Sequence, residues 1–190
     1  MRIRRLGLLP VLALVAACSS EKKEEPAAPA LTFHEIMKDR IDKNADELWD
    51  ISNAAIGDAA GIDPAKMTDE RWAQIAARAD AVQQAALEIA TMDPIVVVKP
   101  GVKISDEGIP GGHTGAEVQA LMDKNPETLR DLANALAGHT GDIAKFARAH
   151  DAASMGPLID QLDGVCEDCH LEYWYPDQKE LVNRIRNENS

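Results

Sequence analysis

The sequence predicts an all-α protein, an antiparallel four-helix bundle, on three observations. Alanine is abundant while aromatic residues make up 4 % of the 190 residues, and alanine is the strongest helix former and is depleted in strands. Apolar residues recur at three- and four-residue intervals over four long segments, which is the spacing of a helix with one buried face. The connections are short apart from one, and short connections favour antiparallel neighbours.

The first two helices carry clear end signals. The first is predicted over residues 31–60, and Gly61 and Pro64 end it. The second begins after Thr68, a favourable N-cap followed by two acidic residues, and ends near Thr91. The core-facing positions of the first helix are His34, Met37, Ile41, Ala45, Leu48, Ser52 and Ala55. Those of the second are Trp72, Ile75, Ala76, Ala79, Val82, Ala86 and Ile89.

Residues 92–115 are predicted to be irregular, because prolines and glycines interrupt them. Within them, residues 96–98 are three valines that favour a short strand. A connection of this length inside a compact domain is often functional. We therefore expect it to cover an end of the bundle or the edge of a bound group.

The second half of the chain supplies a short helix and a third long one. The short helix is predicted over residues 116–122. The third main helix has Asn125 as its N-cap with Pro126 in the first turn, which is a favoured pairing. Gly138 and Gly141 are expected to weaken this helix or to kink it.

The fourth main helix starts near Asp151 and stops before Pro176. The helical domain is therefore predicted to span residues 31–176. Residues 177–190 are interpreted as a C-terminal tail that contains a last amphipathic turn or two.

The N-terminus has the pattern of an export signal. Residues 1–17 combine three arginines with an apolar run that is too short to cross a bilayer. The small residues that lead into Cys18 resemble the lipobox of bacterial lipoproteins, which implies cleavage before Cys18 and acylation of that cysteine. The alternative is an ordinary signal peptide in which Cys18 is incidental. Residues 18–30, rich in charge and proline, are predicted to be a flexible tether.

The charge balance limits the classes of partner. Removal of residues 1–17 leaves 17 basic against 32 acidic residues, a net charge of −15. This balance argues against nucleic acids and anionic membrane surfaces as partners, and it is compatible with basic partner proteins. Any contact with a membrane is therefore expected to go through the lipid anchor.

Cys166-Glu167-Asp168-Cys169-His170 is the motif that carries the chemistry. A Cys-x-x-Cys-His sequence in an exported protein is typical of covalent haem attachment. On a helix the two thiols and the imidazole share one face, so Cys166 and Cys169 are placed to form thioethers and His170 to bind the iron. A redox dithiol would stand at a helix N-terminus after a strand. A zinc site would need a fourth ligand at recognisable spacing, and no second pair of cysteines exists.

The late position of this motif resembles the cytochrome c-prime family, the class II c-type cytochromes. The resemblance covers residues 31–176 and rests on the attachment motif, on Tyr173 and on Met37-Lys38. It implies a four-helix bundle with one covalent haem c, which in this family often forms homodimers. The chain departs from the family pattern in Trp174-Tyr175-Pro176 and in the long connection at residues 92–115.

The resemblance also implies two alternatives for the sixth iron ligand. Low-spin members use a methionine of the first helix, and Met37 matches that position, whereas high-spin members leave the iron open to small gases. A thioether opposite a histidine raises the reduction potential and suits electron transfer. His34 is the competing ligand, and ordinary core packing is the other interpretation of Met37. The remaining histidines, His113, His139 and His150, are interpreted as surface or hydrogen-bonding residues.

Three functions follow from these alternatives. A single-electron carrier facing the periplasm, with an unidentified redox partner protein, is the first expectation. A five-coordinate protein that binds nitric oxide or carbon monoxide is the alternative. A haem peroxidase would need distal acid–base groups, and the sequence offers no His–Arg pair for them, so we expect no enzyme. Ser19 after the acylated cysteine slightly favours the outer membrane.

Overall fold

The structure of the protein is a computed structural model that describes residues 31–58 and 61–188. The predicted signal peptide (1–17), Cys18 and the predicted tether (18–30) lie outside the described residues. The described part of the chain is all-α, with helices throughout and a lone bridge between Ile56 and Ile62 in place of any strand. The all-α prediction is therefore confirmed. No helix in this part of the chain is long and apolar enough to cross a membrane.

The first predicted helix consists of three consecutive stretches. Helix α1 (Phe33–Ile36) continues into a π-helical stretch (Met37–Asp42) and then into helix α2 (Lys43–Asn53). We call this continuous unit the first helix. Thr32 caps it, because its hydroxyl accepts from the Glu35 N–H while the Glu35 carboxylate accepts from the Thr32 N–H.

The predicted end of the first helix, near residue 60, is wrong. The helix ends at Asn53 because the chain folds back on itself. The Asp63 N–H donates to the Ala55 carbonyl over 2.9 Å, and the Gly57 N–H donates to the Gly61 carbonyl over 3.2 Å. Gly61 adopts a φ of 100°, which favours glycine.

The later helices begin where their caps predicted. Helix α3 spans Asp69–Ala90 after Thr68, helix α4 spans Gly115–Lys124, helix α5 spans Pro126–Arg148 after Asn125, and helix α6 spans Ala152–Tyr173 after Asp151. Helix α3 packs most extensively on α5, which also packs on α6, while α2 packs on α3. Every predicted core position of the second helix is buried.

The apolar core has two parts. The first core group includes Phe33, Ile36, Val82, Met122, Leu129 and Tyr173. The second core group includes Leu48, Trp72, Ile75, Ile143, Met155 and Leu162. Cys169 packs against the first group and Cys166 against the second. The Cys-x-x-Cys turn of α6 therefore lies where the two core groups meet.

The connection at residues 92–115 is irregular as predicted, but residues 96–98 form no strand. Their backbone instead serves the start of the first helix. The carbonyl oxygens of Val96 and Val97 accept from the N–H groups of Phe33 and His34 over 2.8 and 2.9 Å. These donors have no intrahelical partner, so the segment supplies the acceptors that the helix end lacks.

The C-terminal tail contains more helix than predicted. After a short 3-10 turn (Pro176–Gln178), helix α7 spans Lys179–Glu188 instead of a last turn or two. No residue of α7 is buried. Its sequence is mostly charged and polar, with apolar residues at Leu181, Val182 and Ile185, and the helix is longer than that short apolar pattern predicted.

Helix α5 runs without a break through Gly138 and Gly141, so the expected weakening did not interrupt it. A methyl group at position 141 would lie 2.2 Å from Nε2 of Gln83 on α3. That Nε2 donates to the Ala137 carbonyl over 3.0 Å. Gly141 therefore allows a polar contact between α3 and α5, whereas position 138 faces open space.

We predict opposite outcomes for alanine at these two glycines. Gly138→Ala should stabilise the protein by roughly 0.5–1 kcal/mol, because alanine is the better helix former and meets no neighbour. Gly141→Ala should lose that gain, because the new methyl group displaces the Gln83 amide from its hydrogen bond. Urea unfolding monitored by circular dichroism measures both changes, and equal stabilisation by the two variants would contradict this account.

Candidate functional site

The Cys-x-x-Cys-His motif of helix α6 faces the first helix across a cavity. Cys169 and His170 line a cavity of about 220 Å³ from one side, and His34 and Met37 line it from the other. The full lining is Phe33, His34, Met37, Lys38, Asp42, Ser105, Asp106, Cys169, His170, Trp174 and Tyr175. The structure thus brings the histidine of the motif and the methionine of the first helix to one cavity.

A second, apolar pocket adjoins this cavity. Phe33, Met37 and Cys169 line both spaces. The remaining lining of the second pocket is Ile41, Ala86, Ile89, Leu129, Leu132, Ala133, Leu136, Val165 and Cys166. The two spaces together form a cleft that is polar toward His170 and apolar toward the bundle interior.

The π-helical stretch of the first helix begins at Met37 and ends at Asp42. Both of these residues line the first cavity. Wide turns of this kind are rare inside α-helices and are frequent at functional sites. The irregularity therefore coincides with the side of the helix that faces His170.

Both thiols of the motif are held in the protonated form. Burial raises the pKa of Cys166 to about 12, and the nearby Asp163 and Asp42 carboxylates add to the rise. Burial also raises the pKa of Cys169 to about 12, with neighbouring negative groups contributing. The two cysteines form no disulfide. A redox dithiol needs a lowered thiol pKa, so this environment argues against that alternative.

The same region gives no support to a zinc site. The described residues contain no group of three or more His, Cys, Asp or Glu side chains arranged to hold a metal ion directly. The motif alone supplies too few ligands for tetrahedral zinc.

Aromatic side chains surround the end of α6. The Trp174 ring stacks on Phe33 with centroids 5.5 Å apart and meets the His170 ring edge-on at 6.3 Å. The N–H groups of Trp174 and Tyr175 both donate to the His170 carbonyl over 2.8 Å. These contacts fix the backbone at His170 and place an apolar wall beside its imidazole.

The 92–115 connection closes one side of the first cavity. Ser105 and Asp106 line it, and the Tyr175 hydroxyl donates to the Asp106 carboxylate. The His113 N–H donates to the Trp174 carbonyl over 3.2 Å. Burial, together with the Asp106 contact, raises the pKa of Tyr175 to about 12. The segment therefore forms part of the cavity wall; that it covers the edge of a bound group stays a prediction.

Asp42 is an acidic residue whose pKa responds to the nearby His170 of the motif. Withdrawal of its carboxyl from water raises its pKa, while the neighbouring His170 and His34 oppose that rise. It lines the same cavity as His170, so a negative charge at Asp42 stabilises positive charge there.

The residues of this cleft fit a haem group. Two half-buried thiols, an imidazole and a thioether face adjoining cavities of complementary polarity. The Tyr173 hydroxyl, on a side chain that is 2 % exposed, has no hydrogen-bond partner within the described chain. Buried hydroxyls are usually paired, but Tyr173 lines neither cavity, so the fit rests on the thiols, the imidazole and the thioether.

The other histidines lie away from the cleft lining. His139 makes a 2.7 Å contact from Nε2 to the Leu158 carbonyl, and the His150 ring stacks on Trp72 with centroids 5.1 Å apart. His113 approaches the cavity wall through its backbone. The interpretation as surface or hydrogen-bonding residues agrees with the exposure of His150 and with the contact of His139.

Sequence reasoning missed several residues near the site. The π-helical stretch brings Asp42 to the cavity, and the long connection brings Ser105 and Asp106. No pattern in the sequence predicts that these three side chains line the cavity. Arg186 of α7 contacts Glu167 and Asp168 inside the motif. A lone arginine in a charged tail gives no signal of such a contact.

Comparison with protein-family models, with curated proteins and with solved structures finds no match for this chain.

We predict that Cys166 and Cys169 react slowly with alkylating reagents in the chain that carries no attached group. Because the pKa of each thiol is about 12, Cys166 and Cys169 should react with iodoacetamide at pH 8 at least about 100-fold more slowly than an exposed cysteine of pKa near 8.5. Unfolding in urea should abolish the difference. Mass spectrometry of chain produced without its signal peptide measures both rates, and equal rates with and without urea would contradict the burial argument.

Proposed function

We propose that this chain is a c-type cytochrome that carries single electrons, with one haem c attached through Cys166 and Cys169. His170 is the proposed proximal ligand and Met37 the proposed sixth ligand. The observation that carries the proposal is that Met37 of the first helix and His170 of α6 line the same cavity. The resemblance to the cytochrome c-prime family adds the proposed arrangement, an antiparallel four-helix bundle.

Each residue has a defined part in this proposal. Cys166 and Cys169 hold the group covalently, so that it is retained outside the cell. When bound, the haem supplies a couple between ferric and ferrous iron. Met37 keeps the coordination number unchanged between the two states, and the Phe33 and Trp174 rings exclude water from the cavity wall. Both effects reduce the rearrangement that accompanies electron transfer.

The negative net charge of the mature chain indicates what kind of redox partner it would bind. A net charge of −15 on the mature chain favours a basic redox partner protein, through faster association at low salt. A homodimer, as in the family it resembles, is an additional proposal. An electron carrier transforms no bound substrate, so we propose no enzyme activity.

Gas binding is the second candidate function. It is favoured by the packing of Met37 against the first core group, which an ordinary core methionine would also show. In this candidate Met37 only packs in the wall and the iron is five-coordinate. A third arrangement has His34 in place of Met37, because His34 lines the same cavity.

We predict that Met37→Ala converts the protein from low spin to high spin. Loss of the thioether should remove the methionine–iron charge-transfer band of the oxidised protein and speed carbon monoxide binding by the reduced protein. Absorption spectra with and without carbon monoxide measure both. His34→Ala should leave the spin state unchanged.

Met67→Ala is the matched control, because Met67 is a buried methionine of the second core group, away from the cleft lining. It should lower stability without altering the spectrum. If the wild type is high spin and binds carbon monoxide rapidly, the electron-carrier assignment gives way to the gas-binding one. If Met37→Ala keeps a low-spin spectrum and His34→Ala loses it, His34 is the sixth ligand.

We further propose that Cys18 carries a lipid anchor that holds the domain at a membrane facing the periplasm, with the outer membrane favoured by Ser19. Residues 18–30 would then separate the domain from the bilayer. This part rests on the sequence pattern of residues 1–18.

We predict that Cys18→Ser releases the protein from the membrane fraction without loss of haem, because the anchor and the haem site are separate. Fractionation of exporting cells, followed by haem staining, measures both properties. A variant that stays with the membrane at the wild-type level would show that Cys18 is not the anchor.

A further inference from the structure

Helix α7 is held against the attachment motif by charged groups. Arg186 is bonded to the Glu167 carboxylate over 2.6 Å and to the Asp168 carboxylate over 2.7 Å, and its guanidinium reaches the Gly164 carbonyl at 3.5 Å. Glu167 and Asp168 are the two residues between the cysteines of the motif. One guanidinium of the C-terminal helix thus joins both of them.

Apolar packing does not explain this placement. No residue of α7 is buried; of its apolar residues, Leu181 and Ile185 are 52 % and 48 % exposed and Val182 is half-buried. A second ion pair, between Lys179 and Glu172, joins the start of α7 to α6. Ion pairs with Lys179 and Arg186 therefore connect α7 to the last turns of α6.

We infer that Arg186 is a positioning residue that sets the charge at the haem-attachment turn and so raises the reduction potential; this inference rests on the proposed function. Ferric haem carries one more positive charge than ferrous haem, so nearby carboxylates favour the ferric form. The guanidinium offsets the charge of Glu167 and Asp168 and shifts the balance toward the ferrous form.

The charge role and a purely structural role make different predictions. Arg186→Gln and the double variant Glu167→Gln/Asp168→Asn break the same ion pairs. If the ion pairs only hold α7 in place, both variants loosen α7 and move the potential in the same direction. If charge decides, Arg186→Gln lowers the midpoint potential, while the double variant raises it.

Arg184→Gln is the matched control. Arg184 lies on the same helix and is paired with Glu180, also of α7, in an exposed ion pair. Arg184→Gln removes the same positive charge but breaks no contact with the motif, so it should leave the midpoint potential unchanged. Arg186→Lys keeps the charge and should stay closer to the wild type than Arg186→Gln.

The experiment uses the full-length holoprotein. Haem staining after denaturing electrophoresis first shows whether the haem is covalent; failure of the wild type at this step overturns the proposed function and this inference with it. Midpoint potentials are then measured at low and high salt. Opposite shifts that shrink with salt support the charge role, because the groups are partly exposed and screened.

Shifts in the same direction, or an unchanged potential in Arg186→Gln, overturn the inference while leaving the proposed function intact. If Arg186→Gln does not accumulate, the double variant still decides, because a lowered or unchanged potential in it contradicts the charge role.

Discussion

The structure depends on one constraint: the two thiols and the imidazole of residues 166–170 must share a face of α6 and meet the first helix across a cleft. That face lies where the two core groups meet, with Cys169 against one and Cys166 against the other. Helix α5 supports α6 from behind and also packs on α3. The first helix contains a π-helical stretch at Met37–Asp42, and both of these residues line the cavity that His170 lines.

Two segments outside the long helices complete the surroundings of this face. The 92–115 connection supplies acceptors to the N–H groups of Phe33 and His34 and closes the cavity beside Tyr175. Helix α7 lies against the outside of the same turn through Arg186. The connection is anchored by Met92, Val97 and Ile104 in the first core group and adds polar contacts at the cavity, whereas α7 is held by ion pairs. The cleft therefore has an apolar interior and a polar, charged rim. Such a rim suits a site whose charge state changes during function.

Local signals explain what the sequence predicted well. Thr68, Asn125 and Asp151 each cap the helix that follows, and capping involves only the next three residues. Non-local contacts explain the errors. The first helix ends early because Ala55 pairs with Asp63 and Gly57 with Gly61. Helix α7 is longer than the turn or two predicted, and its ion pairs with α6 join residues distant in the sequence. The spacing of Cys166, Cys169 and His170 predicts that they share one face of a helix, and both His170 and Cys169 line the cavity. Asp106 and Arg186 reach the same region through folding that no local pattern encodes.

The central claim is the covalent attachment of one haem to Cys166 and Cys169, and intact mass spectrometry under denaturing conditions tests it most directly. The exported wild type is compared with Cys166→Ser/Cys169→Ser, so that any mass from processing or lipidation cancels. The account predicts that the wild type exceeds the variant by the mass of one haem, apart from the small change of the substitutions. Equal masses after that correction would contradict it.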